Sequence, residues 1–210
     1  MTRLIVLLAL LATPLHARQD RAGDFDYYIL ALSWTPTWCA LEGDNRASPQ
    51  CDEGRGHGFT LHGLWPQYER GWPADCPTVE RPPTRGETGA MADIMGSAGL
   101  AFHQWRKHGA CSGLSAPAYF AAARKAYDAV NRPQALRDLG REVTLPALLV
   151  EEAFLDANPG VKPRGLTVTC KSGHVQEVRI CLTKDLAPRD CGADVARDCD
   201  LDRARLPPVR

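Results

Sequence analysis

Within the segment HQWRKHGACSG, residues 103–113, two histidines, a lysine and an arginine fall in six positions. If residues 103–108 are helical, at about 100° per residue, Lys107 lies roughly 40°, Gln104 roughly 100° and His108 roughly 140° from His103. The four then share one arc, Trp105 and Arg106 fall on the other side, and Gly109 is placed to end the helix in a left-handed conformation. Two imidazoles, an ammonium and an amide on one face suit proton transfer beside an anion. They do not suit zinc, because metalloprotease histidines stand at i and i+4 with a glutamate between them. Here they stand at i and i+5, no glutamate accompanies them, and Lys107 would repel a dication, so no metal is expected at this site.

Another histidine, His62, lies in FTLHGLWPQ, residues 59–67. This reads as a strand that stops at the proline, with Gly63 marking a close backbone approach. An imidazole on a strand, opposed by others on a helix, gives one on each side of a cleft. A neutral imidazole can take the proton of an attacking hydroxyl, and an imidazolium can give one to the leaving oxygen. With an unperturbed pKa near 6.5 histidine plays both parts, each worth about 10²–10⁴ in rate. Lys107 and His103 would stabilise charge developing on phosphoryl oxygens. No Asp or Glu occurs between Asp93 and Asp128, whereas Arg106, Lys107, Arg124 and Lys125 do. That is a local positive segment suited to a polyanion. Trp65, three residues after His62, offers a surface on which any base can stack.

These side chains need a scaffold. The chain has 210 residues, the length of one domain with a sizeable core. Its start, MTRLIVLLALLATPLHA, has one positive charge, an apolar run from Leu4 to Ala12 and small residues ending at Ala17. Residues 1–17 read as a secretory signal peptide, and the mature domain as 18–210. The apolar run is too short to span a bilayer, and no later segment is long enough, so no membrane anchor is expected in the mature form. Removing the leader takes only Arg3 among the formal charges, leaving 24 basic and 25 acidic residues. Such a balance does not suggest a protein that coats nucleic acid but allows a local basic site. Eight cysteines follow the leader: Cys39, Cys51, Cys76, Cys111, Cys170, Cys181, Cys191 and Cys199. An even number in a secreted chain reads as four disulfides, with 105 possible pairings.

YYILALSW, 27–34, reads as a buried, central strand. Residues 42–58 read as a loop, and 68–89 mostly as loop pinned by Cys76. Residues 115–133 form a helix capped by Ser115, with Pro117 in its first turn and Tyr119, Phe120, Ala123 and Tyr127 as its core stripe. Residues 143–160 form a second helix with Thr144 as its cap. Residues 165–182 alternate as a hairpin about a Ser-Gly turn, and the charged tail after Cys199 is expected to fray. Strands and helices mix without regular alternation, which is an α+β pattern in a single domain.

FTLHGLWPQ followed some forty residues later by HQWRKHGAC resembles the two signature segments of the ribonuclease T2 family. YYILALSW resembles that family's first strand, and the likeness runs from about Tyr27 to Cys199. The resemblance implies a central antiparallel sheet with helices packed against it, in a periplasmic or secreted monomer without cofactors. It implies an endoribonuclease that cleaves single-stranded RNA with low base specificity and no metal. In such enzymes the 2′-hydroxyl attacks its own phosphate, giving a 2′,3′-cyclic phosphate that water opens, so DNA is not cut. By motif position His108 is the base and His62 the acid, His103 and Lys107 contact phosphate, and Trp65 stacks on a base. The implied disulfides are Cys39–Cys51, Cys76–Cys111, Cys170–Cys199 and Cys181–Cys191. Gln104 departs from the pattern, which has a catalytic glutamate there. Its amide can donate to a phosphoryl oxygen, as a carboxylate cannot, so a slower enzyme or a shifted pH profile is expected. The alternative is a weakened or inactive RNA-binding or signalling protein on the same fold.

Overall fold

The even-numbered residues of the first strand, Tyr28, Leu30, Leu32 and Trp34, enter the main core, whereas Tyr27, Ile29 and Ala31 belong to a small apolar cluster on the opposite face. That alternation follows from the two-residue period of a strand, and it fixes which face of the sheet is left for chemistry. The computed structural model describes residues 20–210; the expected leader, 1–17, lies outside the described residues.

The strands are β1 (Tyr27–Trp34), β2 (Phe59–Gln67), β3 (Val143–Leu145), β4 (Leu166–Lys171), β5 (His174–Leu182) and β6 (Ala204–Leu206). The helices are α1 (Thr35–Trp38), α2 (Arg85–Gly89), α3 (Ala92–Met95), α4 (Ala98–Lys107), α5 (Ala116–Ala129), α6 (Gln134–Arg137) and α7 (Ala147–Ala157). One sheet runs β2-β1-β5-β6-β3, with β4 paired to β5 as well. Its pairings are antiparallel apart from the contact of β5 with β6. The fold is thus the expected α+β domain with an antiparallel sheet, and β1 lies inside it between β2 and β5. Helix α5 packs on β2 through two tyrosines: Tyr119 donates its hydroxyl to Leu64 O at 2.9 Å and Tyr127 to Phe59 O at 3.1 Å. Phe154 of α7 meets Phe59 edge-on, with centroids 5.0 Å apart. Disulfides join Cys39–Cys51, Cys76–Cys111, Cys170–Cys199 and Cys181–Cys191. Ser172 and Gly173 both take positive φ, 50° and 76°, in the β4–β5 turn, as a two-residue type I′ hairpin requires.

Several local expectations are corrected. Thr144 does not cap a helix: it lies in β3 opposite Arg205, and α7 starts at Ala147 after Pro146. The β-branched Val-Thr pair prefers the strand, and the proline ends it. Ser115 stands at the N-cap of α5 but makes no side-chain capping bond, and the helix ends at Ala129. The segment 68–89 is mostly loop as expected, and its end is helical, because Thr84 and Glu87 form a reciprocal capping box that starts α2. The tail is stitched down rather than frayed. Ala204–Leu206 pairs with β3, Trp34 Nε1 donates to Pro207 O at 3.1 Å, and Arg210 pairs with Asp44 at 2.8 Å.

Gly109 is also corrected. The left-handed residue after this turn is Gly113, with φ of 74°, at the end of the short 3-10 segment Gly109–Ser112. Gly109 serves close packing instead: a Cβ there would lie 2.7 Å from Trp105 Cε3 and 2.8 Å from Tyr119 Cε1, both in the core. Gly109→Ala is therefore expected to lower stability by about 1–3 kcal/mol through overpacking. The midpoint of urea unfolding measures this, with the substitution of open Gly89, which has nothing near its Cβ, as the control.

Candidate active site

The site begins with a break in the register of β2. Ala31 of β1 pairs with Gly63, but the next residue, Leu32, pairs with Leu61, so His62 is an extra residue in a β-bulge. Before the bulge, Phe59 and Leu61 face the core; after it, Leu64 does. The inserted residue resets the alternation, which turns Trp65 to the same face as His62. Gly63 shares that face, and a Cβ on it would collide with Trp65 Nε1 and Gln104 Oε1. The close approach expected at Gly63 is thus an approach of side chains.

Helix α4 supplies the opposing wall. Ser97 caps it by accepting from Leu100 N at 3.1 Å. Trp105 anchors the helix by packing on Tyr119, with centroids 5.7 Å apart. His103, Gln104, Lys107 and His108 line one groove of about 480 Å³ with His62, Trp65, Trp72, Arg179 and Arg197. His62 and His103 also border a second hollow of about 450 Å³, lined by Ser33, Thr35, Thr60, Lys171 and Glu177. Cavities of this size hold small ligands. Six side chains singled out from sequence therefore meet in one place: His62, Trp65, His103, Gln104, Lys107 and His108.

Trp65 sits between the two inward histidines. Its ring centroid is 5.1 Å from His62, edge-on at 76°, and 5.3 Å from His108 at 32°. Its Nε1 donates to Gln104 Oε1 at 2.7 Å, so Gln104 orients the indole. The Arg179 guanidinium lies 5.3 Å from the Trp65 ring centroid.

The two imidazoles have different settings. His108 is only 8% exposed. Burial, then the positive charges of Lys107, His62 and His103, push its pKa down from 6.5 to about 3. Its Nδ1 is buried without a hydrogen-bond partner among the described residues. A second N–H on this ring would be costly there, so the neutral form is favoured. His62 instead directs Nδ1 at Glu177 Oε1, 2.5 Å away. Glu177 is 2% exposed. Burial alone would raise its pKa, but the hydrogen bond and charge of His62 and the charge of Arg179 outweigh it and hold the carboxyl at about 2.

Glu177, Arg179 and Trp72 went unnoticed in the sequence. Glu177 and Arg179 alternate with apolar residues in β5 and read as an ordinary solvent-facing pair, although Glu177 is buried. Trp72, 59% exposed, hid in a proline- and glycine-rich stretch. The basic segment around α4 contributes less than its charge suggests. Arg124 is paired with Asp93 at 2.6 Å, and Arg106 lines a different depression on the far side of α4. Where three metal-type groups cluster, at Cys39, Asp44 and Cys51, two are joined as a disulfide.

Both depressed pKa values carry a sign for stability. Between pH 6.5 and about 3 the unfolded chain protonates its counterpart of His108 while the native protein does not. Between 4.5 and about 2 the same holds for Glu177. Each contribution is present above the upper limit of its window and lost as pH falls through it. Urea midpoints should stay level near pH 7–8 and fall below about 6.5. His108→Gln should remove part of the decline between 6.5 and 4.5. His57, also lowered from 6.5 by burial and Arg55, accounts for another part. A midpoint unchanged down to pH 4.5 would contradict this reading.

A scan against family models matches residues 25–191 to the ribonuclease T2 family. A ribonuclease of Aeromonas hydrophila is 43% identical over 119 residues, covering 55% of this chain and 53% of that protein. The chain spans about half the length of this and two other curated relatives it matches. Ribonuclease I of Escherichia coli K12 is 27% identical over 218 residues, covering 83% and 81%. Among solved structures, RNase NT in complex with 5′-AMP superposes with a TM-score of 0.70 at 24% identity, over 88% of this chain and 99% of that one. The two signature segments, the disulfide-braced sheet and the extent of the family match together establish that this chain belongs to the ribonuclease T2 family.

Proposed function

We propose that the protein is a metal-independent endoribonuclease that cuts single-stranded RNA by transphosphorylation. One observation carries this reading. Two imidazoles in opposite electrostatic settings flank one tryptophan in a single groove, one buried and held neutral, the other against an ionised carboxylate. His108, neutral, takes the proton from the RNA 2′-hydroxyl, whose oxygen attacks the adjacent phosphorus. His62 gives its Nε2 proton to the departing 5′-oxygen, and a 2′,3′-cyclic phosphate remains. In the second step the roles reverse, and water opens the ring. Lys107, His103 and the Gln104 amide stabilise the charge that builds on the phosphoryl oxygens.

The surroundings suit this chemistry. Hollows on both sides of His62 give room for a nucleotide on each side of the scissile phosphate. The exposed Trp72 offers a stacking face that any base can use, which fits low base specificity. The related RNase NT binds 5′-AMP, a nucleotide of the kind such hollows would take. An apolar leader and four disulfides favour an oxidising, periplasmic or secreted home. Among the described residues no helix is long and apolar enough to cross a membrane.

The test is incubation of residues 18–210 with single-stranded RNA in excess EDTA, with end analysis of the products. Cyclic-phosphate ends are expected, and a single 2′-deoxy substitution should block cutting at that position. His62→Ala and His108→Ala should each lower kcat/KM at least about 10²-fold. Bound but intact RNA would mark a binding protein, and cutting abolished by EDTA a metallohydrolase.

Gln104→Glu tests the departure from the family pattern. A carboxylate between Lys107 and His108 would oppose the effects that now depress His108, raising its pKa by about 1–3 units. Because the base must be neutral, the acidic limb of the kcat/KM profile should move to higher pH. An unmoved limb with an unchanged rate would remove Gln104 from the catalytic account.

A further inference from the structure

Glu177 is a buried carboxylate that the proton transfers above do not use. Four donors surround it. Oε1 accepts from His62 Nδ1 at 2.5 Å and from Ser33 Oγ at 3.3 Å; Oε2 accepts from Arg179 Nε at 2.9 Å and Nη2 at 2.7 Å. An ionised carboxylate can only accept, so His62 must carry a hydrogen on Nδ1. Nε2 is then the nitrogen left to exchange a proton with substrate. We propose that Glu177 is a positioning residue for His62, fixing the tautomer and ring orientation that present Nε2 to the leaving oxygen. This rests on the reading of His62 as the acid.

A purely structural ion pair is a poor account of the same contacts. Taking a carboxylate out of water is costly, and a buried ion pair seldom beats a packed apolar replacement. Here the carboxylate divides its two oxygens, one toward the groove imidazole and one toward a guanidinium that itself lines the groove. The electron count is simple. As the P–O5′ bond breaks, its electron pair stays on O5′ and the Nε2 proton joins it. The Nδ1 hydrogen stays on His62, and Glu177 remains a carboxylate. The charged and titratable groups lining the two hollows around this pair are Arg179 on β5, Lys171 on β4, His103 and Lys107 on α4, His108 just after it, and Glu42, Arg46, Asp194 and Arg197 from loops and short turns. Lys171 is itself paired with Glu42 at 2.5 Å.

The experiment compares two substrates. Uridylyl-(3′→5′)-adenosine has an alkoxide leaving group that needs an acid. Uridine 3′-(4-nitrophenyl phosphate) releases a stable phenolate that does not. Glu177→Gln is expected to lower kcat on the first on the order of 10–100-fold, with KM little changed. On the aryl ester the loss should shrink to less than about threefold, because only the acid step has been harmed. His62→Ala should show the same contrast, and His108→Ala should lose activity on both. Equal losses for Glu177→Gln on both substrates, or none on the dinucleotide, would overturn the positioning role alone. Equal losses for His62→Ala would instead sink the acid assignment, and the positioning role with it. The wild-type protein gives a readout that does not depend on the variant folding. With ¹⁵N-labelled histidine, neutral His62 is expected as the Nδ1–H tautomer, and the Nε2–H tautomer would refute the proposal.

Discussion

Side chains on β2 and β5 meet only because the strand between them leaves space. Strands two apart in a sheet lie roughly 10 Å from each other, too far for most side chains to bond. On the face concerned, β1 presents Ala31 and Ser33, which pair across to Arg179 and Glu177 on one side and to Gly63 and Thr60 on the other. Two short side chains make a trough, and His62 reaches over it to Glu177. The bulge matters equally. It inserts His62 on the face that already carries Gly63, and the missing side chain at 63 is what lets Trp65 and Gln104 close in beside it. Larger residues at 31 or 33, or a regular ladder in β2, would separate the imidazole from the carboxylate. The groove's chemistry is thus written in small residues and one register shift as much as in the histidines.

The same trough sorts the charges. His108 is enclosed by Trp65 and by three cationic or cation-capable groups, and burial holds it neutral. Glu177 lies beside His62 and keeps a negative charge there despite being buried, because His62 and Arg179 satisfy it. The two imidazoles therefore meet different neighbours, a carboxylate beside His62 and cationic groups around His108. Trp65 keeps them apart and, through its bond to Gln104, in fixed orientation.

Much of this was legible in the sequence, and the exceptions have physical causes. The helical arc of His103, Gln104 and Lys107 follows from the helix period alone and α4 preserves it, whereas His108 stands just past the helix end, with φ of -121°, and still lines the same groove. Strand β1 announces itself as a short apolar and aromatic run, β5 by alternation, and the Ser-Gly turn by its conformational needs. Glu177 was invisible because a charged residue in an alternating strand looks solvent-facing until a third strand is known to cover it. Thr144 misled because a threonine suits both a helix cap and a strand, and only pairing with Arg205 decides. The tail looked frayed because its charges were read without partners, whereas Arg210 meets Asp44 across 166 residues of chain. One signal was there to be used. Leu61 and Leu64 are three apart in a segment that otherwise reads as a strand, and an apolar spacing of three in a strand implies an inserted residue between them.

The glutamine at 104 and the glutamate at 177 belong to one argument about where a negative charge helps. A carboxylate on α4 at 104 would stand beside the imidazole that must be free of a proton to act as base. A carboxylate on β5 at 177 stands beside the imidazole that must hold one to act as acid. Gln104 still accepts the Trp65 N–H, as a glutamate would, so the indole loses nothing by the exchange. What the exchange removes is the negative charge, and what it adds is an N–H donor, so no neighbour at 104 holds a proton on His108. The site therefore keeps one carboxylate in contact with its histidines, and keeps it on the side of the groove where proton donation is proposed.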